Sequence, residues 1–246
     1  MQSRNLRSRW VVAIVCVLSV WTFRAVADDT TNPPARTEYF GRRIAQTMHY
    51  TGAPWLVRES RKREEEPKKL LDALAMKPGQ RVCDMGCGNG FYTLRLARRL
   101  GERGTVYAVD IQQEMLDGLM RRAERQEIHN IRPICGSPID PRLPAGTIDL
   151  VLMIDVYHEF SHPQRMLDAI RRSLKPSGRI VLVEFRAEDP NVPIKPLHKM
   201  SKQQILKEIV PNGFRLDHQF DGLPWQHVMI FVPEERRSEG NGRPPE

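Results

Sequence analysis

Residues 82–90 read Val-Cys-Asp-Met-Gly-Cys-Gly-Asn-Gly, and Tyr107-Ala-Val-Asp110 brings an acid twenty residues beyond Gly90. A short apolar run ends in Asp84, and three glycines then alternate with other residues before a helical pattern opens at Phe91. This is the layout of a strand, a tight turn and a helix N-terminus, where a ligand can approach the backbone closely because no Cβ intervenes. A second strand, residues 105–109, delivers Asp110 at the place where such folds hydrogen-bond a ribose. The combination reads as a nucleoside-cofactor site.

The spacing of the glycines narrows the cofactor. A dinucleotide fingerprint needs G-x-G-x-x-G, whose third glycine lets helix and strand pack closely beneath the pyrophosphate. From Gly86 the chain reads G-C-G-N-G-F, so the third glycine falls one place early and Phe91 occupies its slot. Asp84 also precedes the first glycine by two. A carboxylate there suits a pyrophosphate poorly, but it accepts hydrogen bonds from a cationic amino group. S-adenosylmethionine (SAM) offers such a group, with a sulfonium, a ribose and no phosphate. On these residues the chain resembles the class I SAM-dependent methyltransferases, whose first motif is D-x-G-x-G-x-G and whose second ends in an acid after the next strand.

The N-terminus is a separate matter. Arg4, Arg7 and Arg9 precede an apolar stretch from Trp10 to Phe23, and Ala25-Val-Ala27 matches a small-x-small cleavage site. This is the pattern of a secretory signal peptide over residues 1–27. A membrane-spanning helix needs about 20 apolar residues; this stretch counts 14 before Arg24. Cleavage and an exported domain, periplasmic or secreted, are therefore expected. The alternative is an uncleaved anchor with the domain facing out, and transient membrane association would run through this segment.

Removing residues 1–27 takes four arginines and no acids from a net charge of +8, leaving +4. No element concentrates basic residues enough to argue for nucleic acid. The run Arg61-Lys-Arg-Glu-Glu-Glu66 reads as a solvated helix face. Beyond the signal, Cys83, Cys87 and Cys135 are odd in number and lack zinc spacing, so neither a disulfide framework nor a metal site is expected.

Roughly 219 residues then suit one α/β domain. Residues 28–37 read as a flexible leader, and 38–66, with Tyr39, Phe40, Trp55 and Leu56, as a helical cap of one or two helices. Residues 67–232 alternate strand and helix signals. Helices are predicted over 68–76, 91–100, 113–127 and 163–174, and another is capped by Ser201. Strands are predicted at 131–135, 148–154 and 179–185, with Lys175-Pro-Ser-Gly178 as a turn, and 214–220 and 228–232 as a terminal pair. Residues 233–246 are charged and rich in Gly and Pro, a disordered tail. Alternation of this kind implies a doubly wound α/β sheet. The family resemblance implies seven mostly parallel strands, order 3-2-1-4-5-7-6, with the last antiparallel.

Ligands of open α/β sheets sit beyond the carboxyl ends of the strands. On the resemblance, Asp84, Gly86, Gly88, Asn89 and Gly90 form the bed for the methionine part of SAM, Asp110 takes the ribose hydroxyls, and Ile111 and Gln112 flank the adenine. Ser137 stands where the family often has an acid accepting from the adenine amino group; its hydroxyl departs from that pattern, with Asp140 as a fallback. Asp155-Val-Tyr-His-Glu-Phe160 then occupies the fourth-motif region. Methyl transfer is an in-line displacement that needs orientation first, and a base only when the acceptor carries a proton. His158 is the candidate base, with Asp155 or Glu159 to orient it. Asp155, which the resemblance also places among the cofactor-binding residues, and Tyr157 complete the catalytic candidates, and the competing reading makes Tyr157 and His158 walls of the pocket. The cap, the loop 186–200 ending in His198-Lys-Met, and Trp225-Gln-His227 should enclose the acceptor.

The function expected is methyl transfer from SAM to a small-molecule or lipid-like acceptor. Two alternatives stand beside it: a catalytically silent SAM- or nucleoside-binding protein on the same fold, and an NAD(P)-dependent oxidoreductase, which Phe91 and Asp84 disfavour.

Overall fold

The computed structural model describes residues 32–234. The expected signal peptide and all but two residues of the expected tail lie outside these. Residues 32–37, read as a flexible leader, are tied down: Arg36 N donates to Ser161 O at 3.2 Å, and His162 Nε2 lies 2.9 Å from Pro33 O.

The cap opens with a strand pair. β1 (Glu38–Tyr39) and β2 (Arg42–Arg43) are antiparallel, joined through Phe40 at φ +48° and Gly41 at φ +84°. Two consecutive left-handed residues twist the chain as a two-residue hairpin requires. A 3-10 segment, Tyr50–Val57, and α1 (Arg61–Glu65) follow. The cap is thus a hairpin and two short helical pieces, because Gly52 and Pro54 break any longer helical run. α2 (Pro67–Ala73) starts on a proline at its first turn, where no N–H is needed, and buries Leu70 and Leu71.

The main layer comprises β3 (Arg81–Met85), α3 (Thr93–Leu100), β4 (Thr105–Asp110), α4 (Gln113–Glu124), β5 (Ile131–Cys135), β6 (Ile148–Ile154), α5 (Pro163–Ser173), β7 (Leu174–Arg186), β8 (Lys199–Met200), α6 (Lys202–Ile209), β9 (Phe214–Phe220) and β10 (Gln226–Pro233). Its strands run β5-β4-β3-β6-β7-β10-β9. Counted from β3 and without the short β8, this is the expected 3-2-1-4-5-7-6. β10 is antiparallel to both β7 and β9. The sequence does not signal β8, which pairs parallel to β7 through Phe185↔Lys199 and Arg186↔Met200.

Residues alternating along β6 feed two core layers. Leu150, Leu152 and Ile154 pack with α2, α3 and α4, while Val151 and Met153 pack with α5 and α6. One local reading needs correction. Lys175–Gly178 lies within β7 as an irregularity, where the register jumps from Ile148↔Leu174 to Leu150↔Arg179. Ser201 caps α6 as expected, accepting from Gln204 N at 3.1 Å, while Gln204 Nε2 donates to Glu208 at 2.8 Å.

Candidate active site

The turn after β3 is shaped by three left-handed glycines: Gly86 at φ +66°, Gly88 at +52° and Gly90 at +88°. A Cβ on Gly86 would stand 2.3 Å from Val156 Cγ2, and one on Gly90 2.2 Å from Leu119 Cδ1. Glycine is needed here for both conformation and space. Asp110 reaches back from the end of β4: one carboxylate oxygen accepts from Gly88 N at 2.9 Å, the other from Gln112 N at 3.0 Å. Asp84, beneath the turn, accepts from the Thr93 hydroxyl at 2.6 Å. Burial pushes Asp84 up to about 6, against the pull of Thr93 and Arg61, while burial also raises Asp110 against its backbone N–H donors.

The cap lies across these loops. Gln112 grips it with both ends of its amide: Nε2 donates to Met48 O and Oε1 accepts from Tyr50 N, each at 2.8 Å. Asn89 Nδ2 donates to Ala53 O at 3.0 Å, and its Oδ1 is buried without a partner. Leu56 packs over Gly88, where a Cβ would meet its Cδ1 at 2.7 Å. Ile111 is exposed. Ser137 is engaged locally: its Oγ accepts from Asp140 N at 3.0 Å, and Asp140 in turn accepts from Arg142 N at 2.7 Å. Both groups expected near the adenine therefore stabilise their own turn.

Asp155 follows β6 at φ +50°, a strained value for a residue with a Cβ. Gln226 Nε2 donates to its Oδ2 at 2.8 Å, while Oδ1 is buried and unpartnered. Burial raises its carboxyl well above the ordinary value, and Glu65 and Glu184 add to this. Next to it stands a group that the sequence reading placed in solvent. Arg61 donates to Glu65 at 2.7 Å and to Leu56 O at 2.8 Å, Tyr92 donates to Glu65 at 2.9 Å, and Arg61 and Glu65 are both buried. The charged run is half solvent face and half core.

His158 is 1% exposed. Its Nδ1 lies 2.7 Å from Glu184 Oε2, and Glu184 Oε1 accepts from Tyr157 N at 3.0 Å. Glu184, at the end of β7, is thus the orienting carboxylate. Asp155 is held by Gln226 instead, and Glu159 stands 3.9 Å from the other ring nitrogen. That Nε2 faces His198 Nδ1 at 3.0 Å rather than open space. Burial opposes a charged His158, yet the Glu184 carboxylate outweighs it and the ring sits above its ordinary value. Burial pushes Glu159 up to about 7, and burial, then His158, lower His198. The backbone of His158 is also clamped: its carbonyl accepts from Arg42 Nη1 at 2.9 Å and from Ala45 N at 3.1 Å. Tyr157 is not brought to this cluster. Its ring is buried in the core layer that includes α5 and α6, 5.3 Å from Phe160.

A carboxylate beside a glycine cradle, with buried unpartnered acceptors on Asn89 and Asp155, provides acceptors for hydroxyl and ammonium hydrogens. Among the described residues the cation that reaches the turn is Arg122, whose Nη1 donates to the Asn89 carbonyl. A separate cleft of about 560 Å³, lined by Arg81, Thr105 and Arg132, opens at the amino ends of the strands and plays no part in this.

Residues 76–227 match a family model described as a methyltransferase domain. The nocamycin O-methyltransferase of Saccharothrix syringae is 31% identical over 115 residues, 47% of this chain and 41% of that protein. The ubiquinone/menaquinone biosynthesis C-methyltransferase of Vibrio vulnificus is 28% identical over 116 residues, 47% and 45% of the two chains. The chain therefore spans less than half the length of these curated relatives. A SAM-dependent methyltransferase structure from Aquifex aeolicus superposes with a TM-score of 0.71 at 24% identity, covering 75% of this chain and 98% of that one, a likeness of fold.

Proposed function

The chain belongs to the methyltransferase-domain family, and from that premise we propose that it transfers a methyl group from SAM to a small-molecule acceptor. The observation that carries this reading is the Asp110 carboxylate held against Gly88, in a cradle whose other acid, Asp84, disfavours a phosphate cofactor. When bound, SAM supplies an electrophilic methyl carbon on a sulfonium. Asp110 accepts from the ribose hydroxyls, the glycine turn lets the backbone lie against the methionine part, and Asp155 Oδ1 stands ready for the ammonium. Arg61 neutralises the excess of buried acids around them. Gln112 and Asn89 hold the cap over the loops, which keeps water from the sulfonium. The relatives that act on antibiotic and quinone acceptors support a small, partly apolar acceptor. The loop before β8 and the turn after β6 border the space it would occupy.

Calorimetric titration of the chain with SAM, S-adenosylhomocysteine and NAD tests the cofactor: the first two should bind and NAD should not. Transfer of labelled methyl to a panel of hydroxylated aromatics and reduced quinones then tests the acceptor class. Export belongs to the same proposal. Its check is N-terminal sequencing from the native host, where Asp28 as first residue supports cleavage and Met1 rejects it.

A further inference from the structure

We propose that His158, Glu159 and His198 form a site for a divalent transition-metal cation, with three protein ligands and open positions facing the acceptor. The three side chains come from two rigid turns. His158 and Glu159 occupy the 3-10 turn Tyr157–Glu159, and His198 ends the 3-10 turn Pro196–His198. β8 follows at once and is bonded to β7, which locks the second turn against the first. His158 Nε2 stands 3.0 Å from His198 Nδ1 and 3.9 Å from Glu159 Oε1, and one ligand atom from each residue lies within 4.8 Å of the others.

The second layer points the same way. His158 Nδ1 is taken by Glu184, which is fully buried and also accepts from the backbone N–H of Tyr157. With Nδ1 donating to Glu184, Nε2 presents its lone pair into the cluster. Carboxylate, imidazole and metal in that order is the arrangement that orients metal-bound histidine and raises its basicity. A plain hydrogen bond between the imidazoles explains the 3.0 Å separation, but leaves the third, carboxylate corner without a role. Arg42, which also reaches the His158 carbonyl, is engaged with Glu208 through two bonds of 2.7 and 2.9 Å.

The geometry selects among metals. With bonds of about 2.1 Å, nitrogens 3.0 Å apart subtend roughly 90° at the ion, whereas a tetrahedral site needs them about 3.4 Å apart. Two imidazoles at that angle, with a carboxylate as third ligand, suit six-coordinate Mn²⁺, Fe²⁺, Co²⁺ or Ni²⁺ better than structural zinc. Glu159 Oε1, at 3.9 Å from His158 Nε2, would have to move closer on binding the ion. Open positions on the ion would take an oxygen of the acceptor and lower the pKa of a hydroxyl there, the task the sequence reading gave to His158. That role rests on the methyl-transfer reading; the binding of the ion does not.

The test uses the full chain without an affinity tag, stripped with chelator and titrated with Co²⁺ and Mn²⁺ by calorimetry and, for Co²⁺, visible absorption. One ion per chain is expected. His198→Ala and Glu159→Gln should each weaken binding at least about a hundredfold, and Glu184→Gln about 10- to 100-fold. Circular dichroism of His198→Ala and Glu159→Gln should stay that of the wild type, because neither side chain is fully buried. Failure of the wild type to bind either ion, or undiminished binding by both of these variants, overturns the site. SAM is titrated into the same metal-free protein. Intact SAM binding without metal binding refutes the metal site alone, and loss of SAM binding refutes the methyl-transfer reading instead.

Discussion

Asp110 Oδ2 accepts from the backbone N–H of Gly88 at 2.9 Å, so the end of the second parallel strand directly holds the turn that follows the first. The carboxylate is both a structural brace and the proposed ribose acceptor. Asp110→Ala should therefore lose about 1.5–3 kcal/mol of SAM affinity, the range for hydrogen bonds to a charged group, and lower the melting temperature as well. Asp110→Asn should recover much of the thermal stability and less of the affinity. Calorimetry on folded variants distinguishes the two effects, and unchanged SAM affinity in Asp110→Ala would remove the ribose assignment.

The buried Arg61–Glu65 pair calls for a double-mutant cycle. Arg61→Met strands a carboxylate that is 1% exposed, which should cost about 3–5 kcal/mol. Arg61→Met with Glu65→Leu should restore most of that loss, because apolar replacement of a whole buried pair is often nearly neutral. Urea unfolding of the four proteins gives the coupling energy. Additive losses would show that the pair is solvated after all.

Asp84 gives stability a pH dependence of definite sign. Its folded value of about 6 lies above the ordinary 3.8, so the folded state holds an extra proton between these two values. Folding is favoured below the lower one, and that advantage is lost as pH rises through about 6, on the order of 3 kcal/mol in all. Asp84→Asn keeps an acceptor for Thr93 and cannot ionise. Its stability relative to wild type should rise between pH 4 and pH 7, as measured by urea melts across that range. A constant difference would mean that Asp84 ionises at its usual pH.

Gly90 tests the cradle itself. Gly90→Ala must place a methyl 2.2 Å from Leu119 Cδ1 at φ +88°. Left-handed strain of about 1–2 kcal/mol and overpacking of about 1–3 kcal/mol should add, shifting the urea midpoint clearly downward. Adding Leu119→Ala should return only the packing share. A Gly90→Ala protein as stable as wild type would show that the turn adopts another conformation.

Much of this architecture is local and was therefore legible in the residues. The strand, glycine turn and helix around Asp84 and the acid at Asp110 follow from spacing, and the alternation of apolar segments gave the sheet. The partners of His158 did not show, because Glu184 lies 26 residues on and His198 40 residues on, across strand pairing. A lone acid in the apolar run Ile180-Val-Leu-Val-Glu184 was the one available signal for the first. Arg61 and Glu65 were misread because an i,i+4 ion pair looks the same in sequence whether water or Phe91 and Tyr92 cover it. Tyr157 had the right neighbours in sequence, but the 3-10 turn buries it in the core layer with residues of α5 and α6.

Arg42 bonds both Glu208 and the carbonyl of His158, sequence separations of 166 and 116 residues. The earliest-made part of the described chain is thus a clasp that shuts only when α6 exists. A protease cutting before Arg36 would spare this clasp. One cutting between Arg43 and Met48 would free the hairpin, leave Glu208 buried with no counter-charge, and loosen the turn that carries His158. Resistance to nicking in that short stretch is therefore a direct gauge of whether the catalytic end of the molecule is assembled.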